Sequence, residues 1–142
     1  MENNKIFILL KKINDRFEAK ANADCQKEGL TLSQFRVLIY LDINSNKIVN
    51  QKEMEVFFNV SHPTITGVIK RLEKKALITT NMIMEKGKQQ KQIFISPKGK
   101  ESLSNMRKNQ VHDDEMLKKH FSSEEIEKFT EYMSRLYQAL TE

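Results

Sequence analysis

Residues 50–78, NQKEMEVFFNVSHPTITGVIKRLEKKALI, decide the fold, because two helix starts are written in them in the same way. Val49-Asn50-Gln51-Lys52-Glu53-Met54 gives an apolar residue, a capping Asn, a Glu three residues on and a second apolar residue. The Asn oxygen takes a first-turn N–H, the Glu reaches back to the cap, and the apolar pair staples the entering chain. Val60-Ser61-His62-Pro63-Thr64-Ile65 repeats the device, with Ser61 as cap and Thr64 in the partner place. Asn59 lies between, and Asn is well suited to a left-handed turn position. The stretch predicts a short helix over about 51–58, a tight turn, and a second helix whose stripe of Ile65, Val68, Ile69 and Leu72 faces a core. The other face of that helix carries Pro63, Gly67, Lys70 and Lys74, with Thr64, Thr66 and Arg71 at its margins. A mid-helix Gly costs about 1 kcal/mol relative to Ala; close approach to another surface is a reason to keep Gly67. A solvated charged face is the plain alternative.

The same device recurs outward in both directions. Leu30-Thr31-Leu32-Ser33-Gln34-Phe35 has a Thr31 cap, a reciprocal Gln34 and a Leu30/Phe35 staple, and Phe121 to Ile126 repeats it with Ser122 and Glu125. Ser96-Pro97 starts a further helix, with Pro at the first helical position. Apolar periodicity fills in the rest. A first helix shows Ile6, Leu10, Ile13, Phe17 and Ala21, and the second, RVLIYL from Arg36, is apolar nearly all round. A long fifth helix, over about 97–121, shows Leu103, Met106, Val111 and Leu117; the last shows Ile126, Phe129, Met133, Leu136, Tyr137 and Leu140. Leu77–Met84 and Lys91–Ile95 are β-branched and apolar and flank a polar, Gly-containing turn at 85–90, which predicts a hairpin. The expected class is mostly α. Three helices and a two-stranded ribbon over 30–96 form a winged helix-turn-helix, with additional N- and C-terminal helices in one domain of 142 residues.

Composition excludes several classes. Four Gly and two Pro, with 39% apolar and 30% charged residues, argue against a sandwich, a propeller or a disordered linker. No apolar run approaches the roughly 18 residues of a membrane span. The run Ile6–Leu10 is followed at once by charge, with no small-residue cleavage site. Cys25 is the single cysteine, which excludes an internal disulfide and fits a reducing, cytoplasmic setting with no membrane partner.

The net charge of +5 is unevenly spread. Residues 1–60 hold 9 basic and 8 acidic groups, residues 61–100 hold 9 and 2, and residues 101–142 hold 6 and 9. One stretch of 40 residues thus carries +7, the concentration that phosphate neutralisation needs. The second helix of the pair is the candidate recognition helix. The expected partner is double-stranded DNA, and the candidate contacts are Ser61, His62, Pro63, Thr64, Thr66, Gly67, Lys70, Arg71 and Lys74. Lys86, Lys88 and Lys91, at or beside the hairpin tip, would reach phosphate or the minor groove.

LTLSQFRVLIYL at Leu30–Leu41, the stretch from Asn50 to Ile78, the hairpin and ISPKGKE at Ile95–Glu101 together resemble the MarR family of bacterial transcription regulators. The phrases in register are Leu30-Thr31-x-x-Gln34, Val60-Ser61-x-x-Thr64-x-Thr66 and Arg71-Leu72-Glu73-x-Lys75. The resemblance covers almost the whole chain. It implies a homodimer whose base is formed by 1–28 and 97–142, with Ile6, Leu10, Ile13, Phe129, Met133, Leu136 and Leu140 as dimerisation residues. It also implies a pseudo-palindromic operator, repression, and release by a small aromatic or phenolic effector, for which Arg16, Phe17, Phe35 and Tyr40 are candidate contacts, although an aromatic at helical spacing is more often core. Two departures stand out. Where the family wing has Asp-x-Arg this chain has Gly87-Lys88-Gln89, and Lys lacks the planar fork of Arg, so phosphate contact is expected in place of base-step sensing. Ala76 stands where the family usually has Gly, so a left-handed cap there would be strained.

The remaining candidates are weaker. Some relatives sense oxidants through a cysteine near the dimer base, but Asp24 and Glu28 beside Cys25 would raise its pKa, which favours a structural cysteine. His112 with Asp113 or Glu115 lacks a metal-ligand spacing, and no metal or cofactor is expected. Without a Gly-rich phosphate loop, a nucleophile phrase or a spaced carboxylate pair, the chain does not read as an enzyme. The reading is a sequence-specific DNA-binding transcriptional regulator. The alternatives are a redox-sensing regulator acting through Cys25, and a winged-helix protein-interaction module, against which the +7 stretch counts.

Overall fold

Each of the predicted starts opens a helix. The computed structural model describes residues 4–142. In chain order the elements are α1 (Asn4–Lys27), α2 (Leu32–Ile43), α3 (Gln51–Phe58), α4 (His62–Lys74), β1 (Ile78–Glu85), β2 (Lys88–Ile95), α5 (Pro97–His120) and α6 (Ser123–Thr141). The class is mostly α with one antiparallel hairpin, the winged helix-turn-helix order expected. Two compact units divide at 106/107.

Thr31 and Ser122 form complete capping boxes with Gln34 and Glu125. The start of α3 differs from expectation. Asn50 Oδ1 accepts the Glu53 N–H at 2.9 Å, but the Glu53 carboxylate takes the Tyr40 hydroxyl and the Lys47 ammonium instead of returning to the cap. Burial pushes the Glu53 carboxyl up, yet these two hydrogen bonds outweigh it and leave its pKa below the ordinary value.

Three helices end alike, with a left-handed residue closing a Schellman pair of hydrogen bonds. After α1 it is Gly29 (φ 69°), after α3 Asn59 (φ 51°), and after α4 Ala76 (φ 59°). At the last, the Ala76 N–H donates to Glu73 O at 2.9 Å and the Leu77 N–H to Leu72 O at 3.0 Å. A β-carbon in this conformation costs about 1–2 kcal/mol. The strain anticipated at Ala76 is present.

The core of the first unit gathers Cys25, Val37, Leu38, Leu41, Met54 and Leu72 with the base of the hairpin, Ile78 and Ile93. The α4 stripe Ile65, Val68, Ile69 and Leu72 is buried, as its period requires. The hairpin pairs from Ile78↔Ile95 to Glu85↔Lys88. Its turn is only Lys86-Gly87, both at positive φ (52° and 74°), as a type I′ connection demands. The turn read at 85–90 is therefore too long, and Gln89 and Gln90 belong to β2. The outer half of the ribbon is largely exposed, so backbone pairing holds it without an apolar pattern.

The ribbon is tied at its base. Ile93 N–H donates to Val49 O at 3.0 Å, and the Ser96 hydroxyl donates to Ala76 O at 2.7 Å while accepting the Gly99 N–H at 3.0 Å. A Cβ at Gly99 would lie 2.3 Å from Leu77 O, so only Gly lets the first turn of α5 close on this junction. Lys75 closes the same corner by donating to Gln34 Oε1 at 2.7 Å and to the Gly29 carbonyl.

α1 exposes Ile6, Phe7, Ile8, Leu9, Ile13 and Phe17. In the second unit α6 buries no residue and exposes Phe129, Tyr132, Tyr137 and Leu140. Among the described residues, no helix is long and apolar enough to cross a membrane.

Candidate nucleic-acid interface

The outward face of α4 follows from its inward one. With the stripe buried, Ser61, His62, Pro63, Thr64, Lys70, Arg71 and Lys74 are exposed, and Gly67 is half-buried. A Cβ at Gly67 would meet only an Arg71 guanidinium nitrogen, at 3.8 Å. Among the described residues nothing therefore calls for glycine at a position where it costs about 1 kcal/mol. Thr66 turns toward α3, half-buried, where Gln51 Nε2 donates to its hydroxyl oxygen at 2.8 Å. His62 Nδ1 touches the Glu55 carboxylate and lies 3.1 Å from Gln51 Nε2. Sequence reasoning missed Gln51 and Glu55. Their signal was their spacing, which puts both on the one face of α3 that meets α4.

On the wing, Lys86 and Lys88 are exposed at the tip. Lys91 is not a tip residue: it pairs with Met82, three rungs back, and its ammonium lies 3.0 Å from Glu73 of α4. It is a tie between wing and helix, which corrects its placement beside Lys86 and Lys88. A groove of about 390 Å³, lined by Asn50, Gln51, Glu55, His62, Met82 and Gln90 among others, separates α3 and the start of α4 from the ribbon.

The four effector candidates differ in their surroundings. Tyr40 is buried, its hydroxyl donates to Glu53, and its ring packs on Phe57 and Phe58 at 4.6 and 5.7 Å. Burial and the Glu53 carboxylate push its pKa up to about 12. It latches α2 to α3, and an aromatic at helical spacing proves to be core. Phe35 packs half-buried against that core, while Arg16 and Phe17 are exposed on α1. A polar cleft of about 470 Å³ lies elsewhere, lined by Glu28, Lys75, Lys98, Glu101, Ser102 and Asn105. Those residues are scattered along the sequence, and only folding collects them.

Cys25 is fully buried. Burial first, then Asp24, push its thiol up, against a smaller opposing pull from Arg36. His112 Nδ1 lies 3.8 Å from Glu115 on an exposed helix face. Of the dimerisation candidates, Ile6, Ile13, Phe129, Met133 and Leu140 are exposed, and Leu10 and Leu136 half-buried.

The sequence model of the MarR family matches residues 28–81. Among solved structures, a MarR family transcription regulator superposes with a TM-score of 0.84 at 14% identity, covering 99% of this chain and 93% of that one. MepR, a transcription regulator of the Staphylococcus aureus multidrug efflux pump MepA, gives 0.79 at 20% identity over 93% of this chain and 96% of its own. The S. aureus MepR–DNA complex gives 0.71 at 20% identity, over 93% and 94%. At these identities the likeness speaks for the fold. No curated protein sequence matches the chain.

Proposed function

We propose that this chain, whose residues 28–81 match the MarR family model, is a DNA-binding transcriptional regulator, with α4 in the major groove and the wing on the flanking backbone. The observation that carries the reading is the outer face of α4. It is exposed and basic, stands on a buried stripe, and holds a mid-helix glycine that no internal contact explains. Similarity to a MepR that has been solved on DNA supports it.

The finer reading is a homodimeric repressor on a pseudo-palindromic operator, released by a small effector. The apolar faces of α1 and α6 support the dimer, since side chains such as Phe7, Leu9, Phe129 and Leu140 are costly to leave in water. Arg16, Phe17 and Phe35 remain the effector candidates, with Tyr40 in the core; the cleft lined by Lys75 and Lys98 also holds Glu28 and Glu101 and so carries no excess of positive charge. The redox alternative is weakened by the burial and raised pKa of Cys25, because a reactive thiol needs access and thiolate character.

The test is fluorescence anisotropy with the DNA upstream of its own coding sequence and with a random duplex. Binding is expected to weaken steeply with salt, by about −0.9 in log–log slope for each phosphate contacted. Salt-insensitive binding, or none to either duplex, would sink the reading.

A further inference from the structure

The reading side of α4 is held from behind by α3. We infer that Gln51 and Glu55 are specificity-determining positioning residues, which set the hydrogen-bonding groups that Thr66 and His62 present to base edges. The inference rests on the DNA-binding reading above and names side chains of α3 that need not touch a base.

The argument is a count of hydrogens. Gln51 Nε2 carries two, for Thr66 Oγ1 at 2.8 Å and Glu55 Oε1 at 3.3 Å, while His62 Nδ1, 3.1 Å away, donates to Glu55 and takes neither. An amide nitrogen only donates, so Thr66 Oγ1 is an acceptor toward α3 and its own hydrogen is left over. Thr130 and Ser134 spend theirs on a carbonyl four residues back, each at 2.8 Å. Among the described residues Thr66 makes no such bond. It is thereby presented as a donor, which suits guanine O6 and N7 or thymine O4.

His62 is held as well. The Glu55 carboxylate it touches only accepts, so Nδ1 carries a hydrogen and Nε2 is the ring nitrogen left for a base edge. A Thr free to rotate would offer both polarities and discriminate less.

A purely structural role for the cluster makes a different prediction. Gln51→Glu keeps a hydrogen bond to Thr66 but reverses it, since a carboxylate can only take the Thr66 hydrogen and leaves its lone pairs outward. The experiment is selection from a randomised duplex pool with the full chain and with Gln51→Ala, Gln51→Glu, Glu55→Gln and Thr66→Val. Thermal denaturation and affinity for one unselected duplex are measured alongside.

Gln51→Ala should lower the ratio of selected to unselected affinity by about five- to tenfold. The loss should fall at the base pair that Thr66→Val also affects, and should nearly vanish in a Thr66→Val background. Gln51→Glu should change the base preferred at that pair, and Glu55→Gln should alter a different pair. The charge that Gln51→Glu adds, and that Glu55→Gln removes, acts on all sequences alike and drops out of the ratio. Unchanged preferences in both Gln51 variants, or a loss spread over every position together with a lowered melting temperature, would overturn the inference. If the wild-type chain enriches no sequence and binds no duplex at low salt, the DNA-binding reading itself falls.

Discussion

Replacing Ala76 by Gly should make the protein more stable, against the usual sign of an Ala-to-Gly change. Ala76 sits at φ 59° between α4 and β1, with its N–H on Glu73 O and its carbonyl on Ser96 Oγ, so the backbone cannot rotate out of the left-handed region without breaking both. Relief of the β-carbon clash is worth about 1–2 kcal/mol. The added freedom of glycine in the unfolded chain takes back about 0.4–1 kcal/mol. The Ala76 side chain is exposed, so little packing is lost, and the net gain is about 1 kcal/mol. For a chain of this size that raises the melting temperature by about 3 °C. The control is Ala19→Gly at an exposed position inside α1, where the same change should cost about 1 kcal/mol. Urea denaturation at one fixed protein concentration reads both, with the midpoint shifting in opposite directions and an unchanged slope. A destabilised or unchanged Ala76→Gly would refute the strain argument.

Gly99→Ala should cost at least about 2 kcal/mol, because the new Cβ meets backbone and not a yielding side chain; a melting curve within a degree of wild type would contradict this. Tyr40→Phe should remove about 1–2 kcal/mol at neutral pH by taking one hydrogen bond from Glu53. Because the folded Glu53 pKa lies below 4.5, its contribution is complete above that pH and is lost as pH falls through the folded value, so the difference between the two proteins in denaturation midpoint should narrow there. In DNA titrations against salt, Lys88→Ala should reduce the slope by about 0.9, while Lys91→Ala, whose ammonium is already paired with Glu73, should leave it nearer wild type. Leu140→Glu should turn a dimer into a monomer in sedimentation velocity; a monomeric wild-type chain at micromolar concentration would refute the dimer.

Helix starts were legible because a cap is a local device. Thr31, Asn50, Ser61, Ser96 and Ser122 each need only their own first turn, and all five accept the N–H three residues on. What a cap partner does with its other end is not local: Glu53 had a second claim on it from Tyr40, 13 residues back. Tyr40 is core, as an aromatic at helical spacing more often is, although spacing alone looks alike for a cleft and a core. The hairpin was found but its turn drawn too long, because Gln89 and Gln90 lie on a largely exposed half-ribbon where polarity no longer marks a loop. Lys91 and Glu73 show the limit for charge: the sequence counts both, and only the fold pairs them.

The ties at the base of the ribbon have a thermodynamic meaning. Lys91 to Glu73 and Ser96 to Ala76 bind the wing to the end of α4, and Ile93 to Val49 binds it to the chain entering α3, before any partner arrives. Helix and wing then work as a caliper of fixed opening. The ordering entropy of helix and wing is spent during folding, and under the proposed function a duplex would supply its own deformation to fit that opening.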